Sequence, residues 1–202
     1  MRKSSSDEIK FAGIDEAGRG PWAGPVVAAA VMGLEADLPP GITDSKKLSP
    51  ARREVLYEQL MANPRLSIGV GMGSVAEIDE INILQATMMA MARALSSLPT
   101  LPAQALVDGN RLPPLPCPTE AIIKGDLLVP LIGAASIIAK VSRDRLMNIY
   151  SQIYPGYGFE TNQGYGTKLH SDSLKSQGIC PLHRRSFKPI HKILCEQKVI
   201  IA

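Results

Sequence analysis

The chain has 202 residues, of which 45% are apolar and 20% charged, with a net charge of +3. That balance belongs to a folded, water-soluble protein large enough for a sizeable core and excludes a disordered or membrane-spanning chain. Three cysteines (Cys117, Cys180, Cys195) without a C-x-x-C pair exclude a disulfide framework and a zinc site, and a reduced, cytoplasmic setting is expected.

The opening MRKSSSDEIK is polar, lacks the apolar stretch of a secretory signal and reads as a flexible leader over residues 1–10. KFAGIDEAG and PVVAAAVMG are apolar runs joined by RGPWA, which predicts two antiparallel strands with an irregular turn between them. Asp15 and Glu16 fall late in the first strand. After a loop holding TDSKKL, Ser49 and Pro50 suit an N-cap and a first helical residue and open a helix through ARREVLYEQLMA. RLSIGVGMG is a glycine-rich third strand. Ser74 and Glu77 form a capping box before a long helix in which Leu84, Met88, Met91, Leu95 and Leu98 recur at helical spacing and should face the core.

AQALVDGN predicts a fourth strand ending in Asp108, and TEAIIKGD a fifth ending in Gly125 and Asp126. The apolar run 127–139 falls short of the roughly 20 residues that span a bilayer. It predicts a buried helix continuing to residue 152. A glycine and tyrosine loop (YPGYGFETNQGYGTKLH), a short helix and a basic tail follow, the tail holding Arg184, Arg185, Lys188, Lys192 and Lys198 against Glu196. Such a tail suits a polyanionic partner, although solvated lysines on a helix face would look the same. Strands first and strand-helix alternation later predict an α/β fold, a mixed sheet with helices on both faces. The expected organisation is one catalytic domain over 11–155, with a substrate-contacting loop and helical C-terminal part over 156–202 packed on it.

Three strands thus end in acid: Asp15 with Glu16, Asp108, and Asp126. In sheets covered on both faces, ligands gather outside strand ends, so the four carboxylates are candidates to converge. Crowded carboxylates repel and raise one another's pKa unless cations are present, and hard divalent cations such as Mg²⁺ or Mn²⁺ would neutralise them. Two such ions about 3.5 to 4 Å apart suit in-line displacement at phosphorus. Asp108-Gly109 and Gly125-Asp126 taken singly read equally well as turn chemistry. No phosphate-loop lysine, no dinucleotide fingerprint in frame and no nucleophile elbow competes, and His170, His183 and His191 lack metal-ligand spacing.

GIDEAGRGPWAGPVV, DSKKLS, EIDEINILQATMMAMARAL, VDGNR, KGD, AASIIAKVSRDR, YGFETNQGYGT and HRRSF occur in this order, and together they resemble bacterial ribonuclease HII over residues 11–190. GRGP after the acid pair differs from the lysine and acid usual there in ribonuclease HIII. The resemblance implies the ribonuclease H-like fold, a mixed five-stranded sheet flanked by helices with a helical C-terminal extension. It implies a metal-dependent endonuclease, using two Mn²⁺ or Mg²⁺ ions, that cuts the RNA strand of RNA/DNA hybrids. It also implies incision 5′ to a single ribonucleotide in duplex DNA, giving 3′-hydroxyl and 5′-phosphate ends, with roles in ribonucleotide and RNA primer removal.

Carried over by motif, Asp15, Glu16, Asp108 and Asp126 are the catalytic, metal-binding acids. Gly18, Arg19 and Gly20 meet the ribose and its phosphates. Tyr165 packs on the sugar after the ribonucleotide, and Ser45, Lys46, Lys47, Arg184 and Arg185 contact phosphates. Trp22, Gln163, Leu127, Leu128 and Gly133 depart from the family pattern and bear on substrate affinity rather than on chemistry. The ending EQKVIIA lacks the paired aromatics of a sliding-clamp peptide, so no clamp contact through the tail is expected, and a monomer is. A ribonuclease HIII-like hybrid nuclease and a non-catalytic hybrid-binding protein are the alternatives.

Overall fold

The computed structural model describes residues 10–201, with side chains for 10–195. Strand β1 (Phe11–Ala17) pairs antiparallel with β2 (Val26–Gly33), and β2 with β3 (Ser67–Gly73). On its other side β1 runs parallel to β4 (Gln104–Asp108), and β4 to β5 (Thr119–Ile122). The result is the expected mixed five-stranded sheet, in the order β3-β2-β1-β4-β5. Because β1 and β4 are parallel neighbours, their C-terminal ends open at the same edge, and this brings Asp15 and Glu16 beside Asp108.

Helix α1 (Pro50–Met61) starts as its sequence predicts: Ser49 Oγ accepts from Arg52 N at 3.2 Å, with proline in the first turn. Helix α2 (Val75–Ser96) carries the capping box, Ser74 Oγ accepting from Glu77 N at 3.2 Å and Glu77 Oε2 from Ser74 N at 2.8 Å. The helix breaks at Asn82, whose φ is 70° and whose Oδ1 re-caps the chain by accepting from Leu84 N and Gln85 N. Of the predicted stripe, all of it beyond the break, Met91, Leu95 and Leu98 enter the core, Met88 packs on its margin and Leu84, in the first turn after the break, stays half-buried outside it.

The glycines of β3 have a packing reason. A Cβ at Gly69, Gly71 or Gly73 would stand 2.1, 2.2 or 2.8 Å from the carbonyl oxygens of Ala94, Ala90 and Ala86. Alanines on α2 and glycines on β3 therefore let helix backbone rest on strand backbone. The opposite face is covered by α4 (Pro130–Ile153) and α1, through Leu56, Leu60, Leu131, Ile137 and Ile138.

Two expectations are corrected at the end of β5. The strand stops at Ile122, Lys124 turns the chain at a φ of 59°, and Asp126 lies in a separate single-turn helix α3 (Gly125–Leu128) rather than at a strand end. Nor is 127–139 one buried helix. Pro130 disfavours helical geometry in the residue before it, Val129 is extended, and Leu128 is 69% exposed. Among the described residues no helix is long and apolar enough to cross a membrane.

The C-terminal part contributes α5 (Phe159–Asn162), α6 (Lys168–Gln177) and α7 (Lys188–Ile201). A third apolar cluster, including Tyr157, Phe159, Leu174 and Ile190, packs them against Met147 of α4 and Ala23 of the β1–β2 connection. The tail 196–202, on which the absence of a clamp peptide was expected, lies outside the residues whose side chains are described, as do residues 1–9 of the leader.

His170 and His183 are buried beside this cluster with their Nε2 atoms 3.0 Å apart. Burial lowers the pKa of both, that of His183 to about 4 from 6.5. Between those values the unfolded chain binds a proton that the folded chain refuses. The stabilisation is therefore complete above pH 6.5 and is lost as pH falls toward 4. From His183 alone the loss between pH 7 and 5 should be about 2 kcal/mol. Urea midpoints at the two pH values check it, and the His183 ring resonance should still report a neutral imidazole at pH 5.

Candidate active site

Asp15 is buried on β1, with Oδ1 accepting from Glu16 N at 2.7 Å and the hydroxyl of Ser136 close enough to favour its ionised form. Ser136, on α4, lies 2.9 Å from the hydroxyl of Ser45. Glu16 Oε1 meets Arg19 Nη1 at 3.4 Å. Asp108 Oδ1 accepts from Gly125 N at 2.7 Å, which docks the α3 turn on the end of β4 and carries Asp126 into the group. Gly133 supports the same docking, since a Cβ there would press on Asp126 O at 3.1 Å and on Ile42 Cγ2 at 3.0 Å.

Burial raises Asp15 well above the usual carboxylate range, and the charges of Glu16 and Asp108 push it further. Glu16 is raised by burial against the opposing pull of Arg19, and Asp126 is raised by burial and by the charge of Asp108. Asp108 is thus the common electrostatic neighbour of the other three acids. Their mutual repulsion and all-oxygen donor set fit a hard divalent cation. Among the described residues no three His, Cys, Asp or Glu side chains are already arranged around one ion position. One oxygen of Asp15 and one of Asp108 accept from backbone N–H groups and one of Glu16 meets Arg19, which leaves the second oxygen of each carboxylate for a cation.

Beside the acids lies a cleft of about 380 Å³ between the Gly18–Gly20 turn, Ser45, Lys46, Ser136 and Tyr165. Buried Arg143 lines it, and buried Arg184 backs the Gly18–Gly20 turn from behind. Arg143 donates from Nε to Pro25 O at 3.0 Å, from Nη1 to Gln163 O at 2.9 Å and from Nη2 to Ala23 O at 3.1 Å. Arg184 donates to the carbonyls of Gly24, Arg19 and Gly18 at 2.9, 2.9 and 2.6 Å. At Gly18, where φ is +97°, a Cβ would sit 2.0 Å from Arg143 Nε, so only glycine admits this approach. Burial lowers the guanidinium pKa values to about 10 and about 9, and both remain charged at neutral pH. Among the described residues no carboxylate hydrogen-bonds to either, so the positive field of Arg143, reinforced by Arg184 behind the turn, favours an anion in the cleft.

Arg184 requires a correction. It is 0% exposed and spends its donors on carbonyls, so it braces the Gly18–Gly20 turn and is not the surface phosphate contact expected of it. Ser45 is also buried, its hydroxyl turned to Ser136, whereas Lys46 and Lys47 are exposed on the same 3-10 turn, which Arg53 holds by donating to Ser45 O. Arg185 is exposed, and its segment is fixed to α2 by Asp79, which accepts from Arg185 N and Ser186 N. Tyr165 is 49% exposed, with Cε1 3.5 Å from where a Cβ on Gly20 would lie. Asp15, Glu16, Asp108 and Asp126 therefore form one group, and Gly18, Arg19, Gly20, Lys46 and Tyr165 line or flank the adjoining cleft.

Arg143 and Ser136 escaped the sequence reading. Their spacing of seven places them two turns apart on the same face of α4, and two polar residues recurring on the face that also carries Ile132 and Ala139 was the available signal. Trp22 does not enter the cleft. It packs against Gly166 and lies 5.6 Å from the His170 ring, while its N donates to Gly164 O at 2.8 Å. Gln163 turns its Nε2 to Glu160 O, and its own carbonyl serves Arg143.

Comparison with known proteins gives a consistent picture. The sequence model of the family described as Ribonuclease HII matches residues 12–190. A ribonuclease HII of Parvibaculum lavamentivorans is 56% identical over 183 residues, covering 90% of this chain and 67% of that one. Among solved structures, the ribonuclease H2 of Pyrococcus horikoshii OT3 superimposes with a TM-score of 0.77 at 31% identity, covering 94% of this chain and 99% of that one. The Bst ribonuclease HIII solved in complex with Mn²⁺ is 18% identical, with a TM-score of 0.68 over 95% of this chain and 71% of that one, and shares the fold.

Proposed function

The chain belongs to the ribonuclease HII family and is a ribonuclease H-type nuclease, and we propose that it cuts RNA/DNA hybrids and incises duplex DNA 5′ to a single embedded ribonucleotide. The observation that carries this reading is the adjacency of two parts. Four electrostatically linked acids stand at one sheet edge, beside a cleft lined by the buried cation of Arg143 and backed by that of Arg184 behind the Gly18–Gly20 turn.

Asp15, Glu16, Asp108 and Asp126 are the residues that would hold Mn²⁺ or Mg²⁺. When bound, two such ions supply an activated water and stabilise the leaving oxygen, leaving 3′-hydroxyl and 5′-phosphate ends. The chain's own residues select and orient the substrate. Backbone groups of Gly18, Arg19 and Gly20 read the ribose, whose 2′-hydroxyl is the feature that tells RNA from DNA at one sugar. Arg143 and Arg184 keep that turn in register, and Tyr165 lies against the following sugar. Lys46, Lys47 and Arg185 meet phosphates, which gives salt-sensitive affinity without base preference. This activity serves ribonucleotide and RNA primer removal in the cytoplasm, with the enzyme acting as a monomer.

A pure binding protein is disfavoured because four clustered acids would weaken its hold on phosphate. A ribonuclease HIII-like specificity differs in one result. On a duplex with a single ribonucleotide, Mn²⁺ or Mg²⁺ should give a cut 5′ to that residue, and chelator should abolish it, as read on a denaturing gel. An intact duplex beside a cleaved all-RNA/DNA hybrid would retain the acids' role and withdraw the junction-reading roles of Gly18 to Gly20 and Tyr165.

A further inference from the structure

Behind the Tyr165 loop runs a chain of hydrogen bonds whose direction follows from its two ends. Tyr165 O can only accept, so His170 Nδ1, 2.9 Å away, carries a proton and donates. His183 Nδ1 stands 2.9 Å from Cys180 N and 3.2 Å from Cys180 O, and because a proton on it would leave two bare Nε2 atoms facing each other at 3.0 Å, it offers its lone pair to the Cys180 N–H. His170 is neutral in its buried site and then has a bare Nε2, which accepts from the Nε2–H of His183 across 3.0 Å. One relay therefore leads from Cys180 N–H through His183 and His170 to the Tyr165 carbonyl, and all four imidazole nitrogens are satisfied.

The rings have little room to turn. Phe159 meets His170 edge-on at 5.4 Å, Tyr157 meets His183 at 5.0 Å, and Trp22 covers His170. Neighbouring loop carbonyls are held from elsewhere, Gln163 O by Arg143 and Gly164 O by Trp22 N, and at Tyr165 itself the backbone N donates to Asn162 O while the carbonyl takes His170 Nδ1 and Thr167 N. A buried pair of histidines, whose polar atoms cost free energy to desolvate, is an expensive way merely to fill a core that leucine or phenylalanine would fill. What the pair adds is a directed bond to one backbone carbonyl, that of the residue facing Gly20.

We infer that His170, oriented by His183, is a positioning residue for Tyr165 that sets the enzyme's preference for an RNA-to-DNA junction over a uniform hybrid. The inference rests on the role proposed above for Tyr165. It requires that His170 act through Tyr165 and nothing else in the cleft.

The test compares kcat and KM on a single-ribonucleotide duplex and on an all-RNA/DNA hybrid, for His170→Leu, His170→Asn, Tyr165→Ala and the His170→Leu, Tyr165→Ala double variant. Thermal melts verify that each is folded. Loss of one hydrogen bond of ordinary strength should lower kcat/KM on the single-ribonucleotide duplex about tenfold more than on the hybrid in His170→Leu, mainly through KM. Asparagine places an amide N–H near the position of Nδ1 and should recover most of that loss. In the Tyr165→Ala background, His170→Leu should have no further effect on the preference. Equal losses on both substrates, or a full further loss of preference in the double variant, would make His170 a plain core residue and overturn the inference while leaving the Tyr165 role intact. An unchanged preference in Tyr165→Ala alone would instead remove the reading of Tyr165, and the inference with it.

Discussion

Replacing Asp108 by asparagine should abolish cleavage while leaving hybrid binding unchanged or tighter. Asp108 is the acid whose charge reaches Asp15, Glu16 and Asp126 alike. Its Oδ1 also docks the α3 turn by accepting from Gly125 N. Asparagine keeps an oxygen there, so Asp126 stays in place and only the charge is lost. The expected fall in single-turnover cleavage is on the order of a thousandfold, comparable to removing a principal electrostatic group from an active site. Binding in chelator, followed by gel shift, should hold or improve, because one negative charge facing phosphate is gone. Asp108→Ala would confound the result by also freeing Gly125. Cleavage by Asp108→Asn at the wild-type rate would refute the site assignment.

What the sequence made legible was local. Ser49 with Pro50, and Ser74 with Glu77, announce helix starts because capping is settled within four residues, and the structure forms both caps. The apolar runs of β1 and β4 and the acids at their ends could likewise be read, since strand pairing follows hydrophobic pattern. The misread positions depend on what lies across the fold. Asn82 breaks α2 where helix formers surround it, compensated by its own side chain capping Leu84 N and Gln85 N. Asp126 reaches the site through a bond from Gly125 to Asp108, seventeen residues away, and not by ending a strand. Arg184 and Arg185 are adjacent in a basic tail and identical in type, yet one is buried and the other exposed. Nothing in HRRSF distinguishes them. The carbonyls that claim Arg184 belong to a turn some 160 residues earlier.

That contrast yields the second large effect, expected of Arg184→Met. A phosphate contact and a buried brace give opposite signatures when removed. Loss of a phosphate contact weakens binding in a salt-dependent way, lowers the slope of log affinity against log salt by about 1, and spares the fold. Loss of the brace strands the buried carbonyl of Gly24, at about 1 to 3 kcal/mol, and frees the partly exposed carbonyls of Gly18 and Arg19, which water can reach at lower cost. Arg184→Met should therefore destabilise the protein by roughly 2 to 4 kcal/mol in urea unfolding, with the salt slope of the folded fraction unchanged. Arg184→Lys should recover little, because one ammonium cannot reproduce three directed N–H groups in a planar fork. Lys46→Ala and Arg185→Ala, both at exposed positions, should show the reverse: stability within about 0.5 kcal/mol of wild type and a shallower salt slope. If Arg184→Met instead kept full stability and lost one unit of slope, the guanidinium would have to leave its three carbonyls to reach the substrate. The Gly18–Gly20 turn would then need another support for the register in which it meets a ribose.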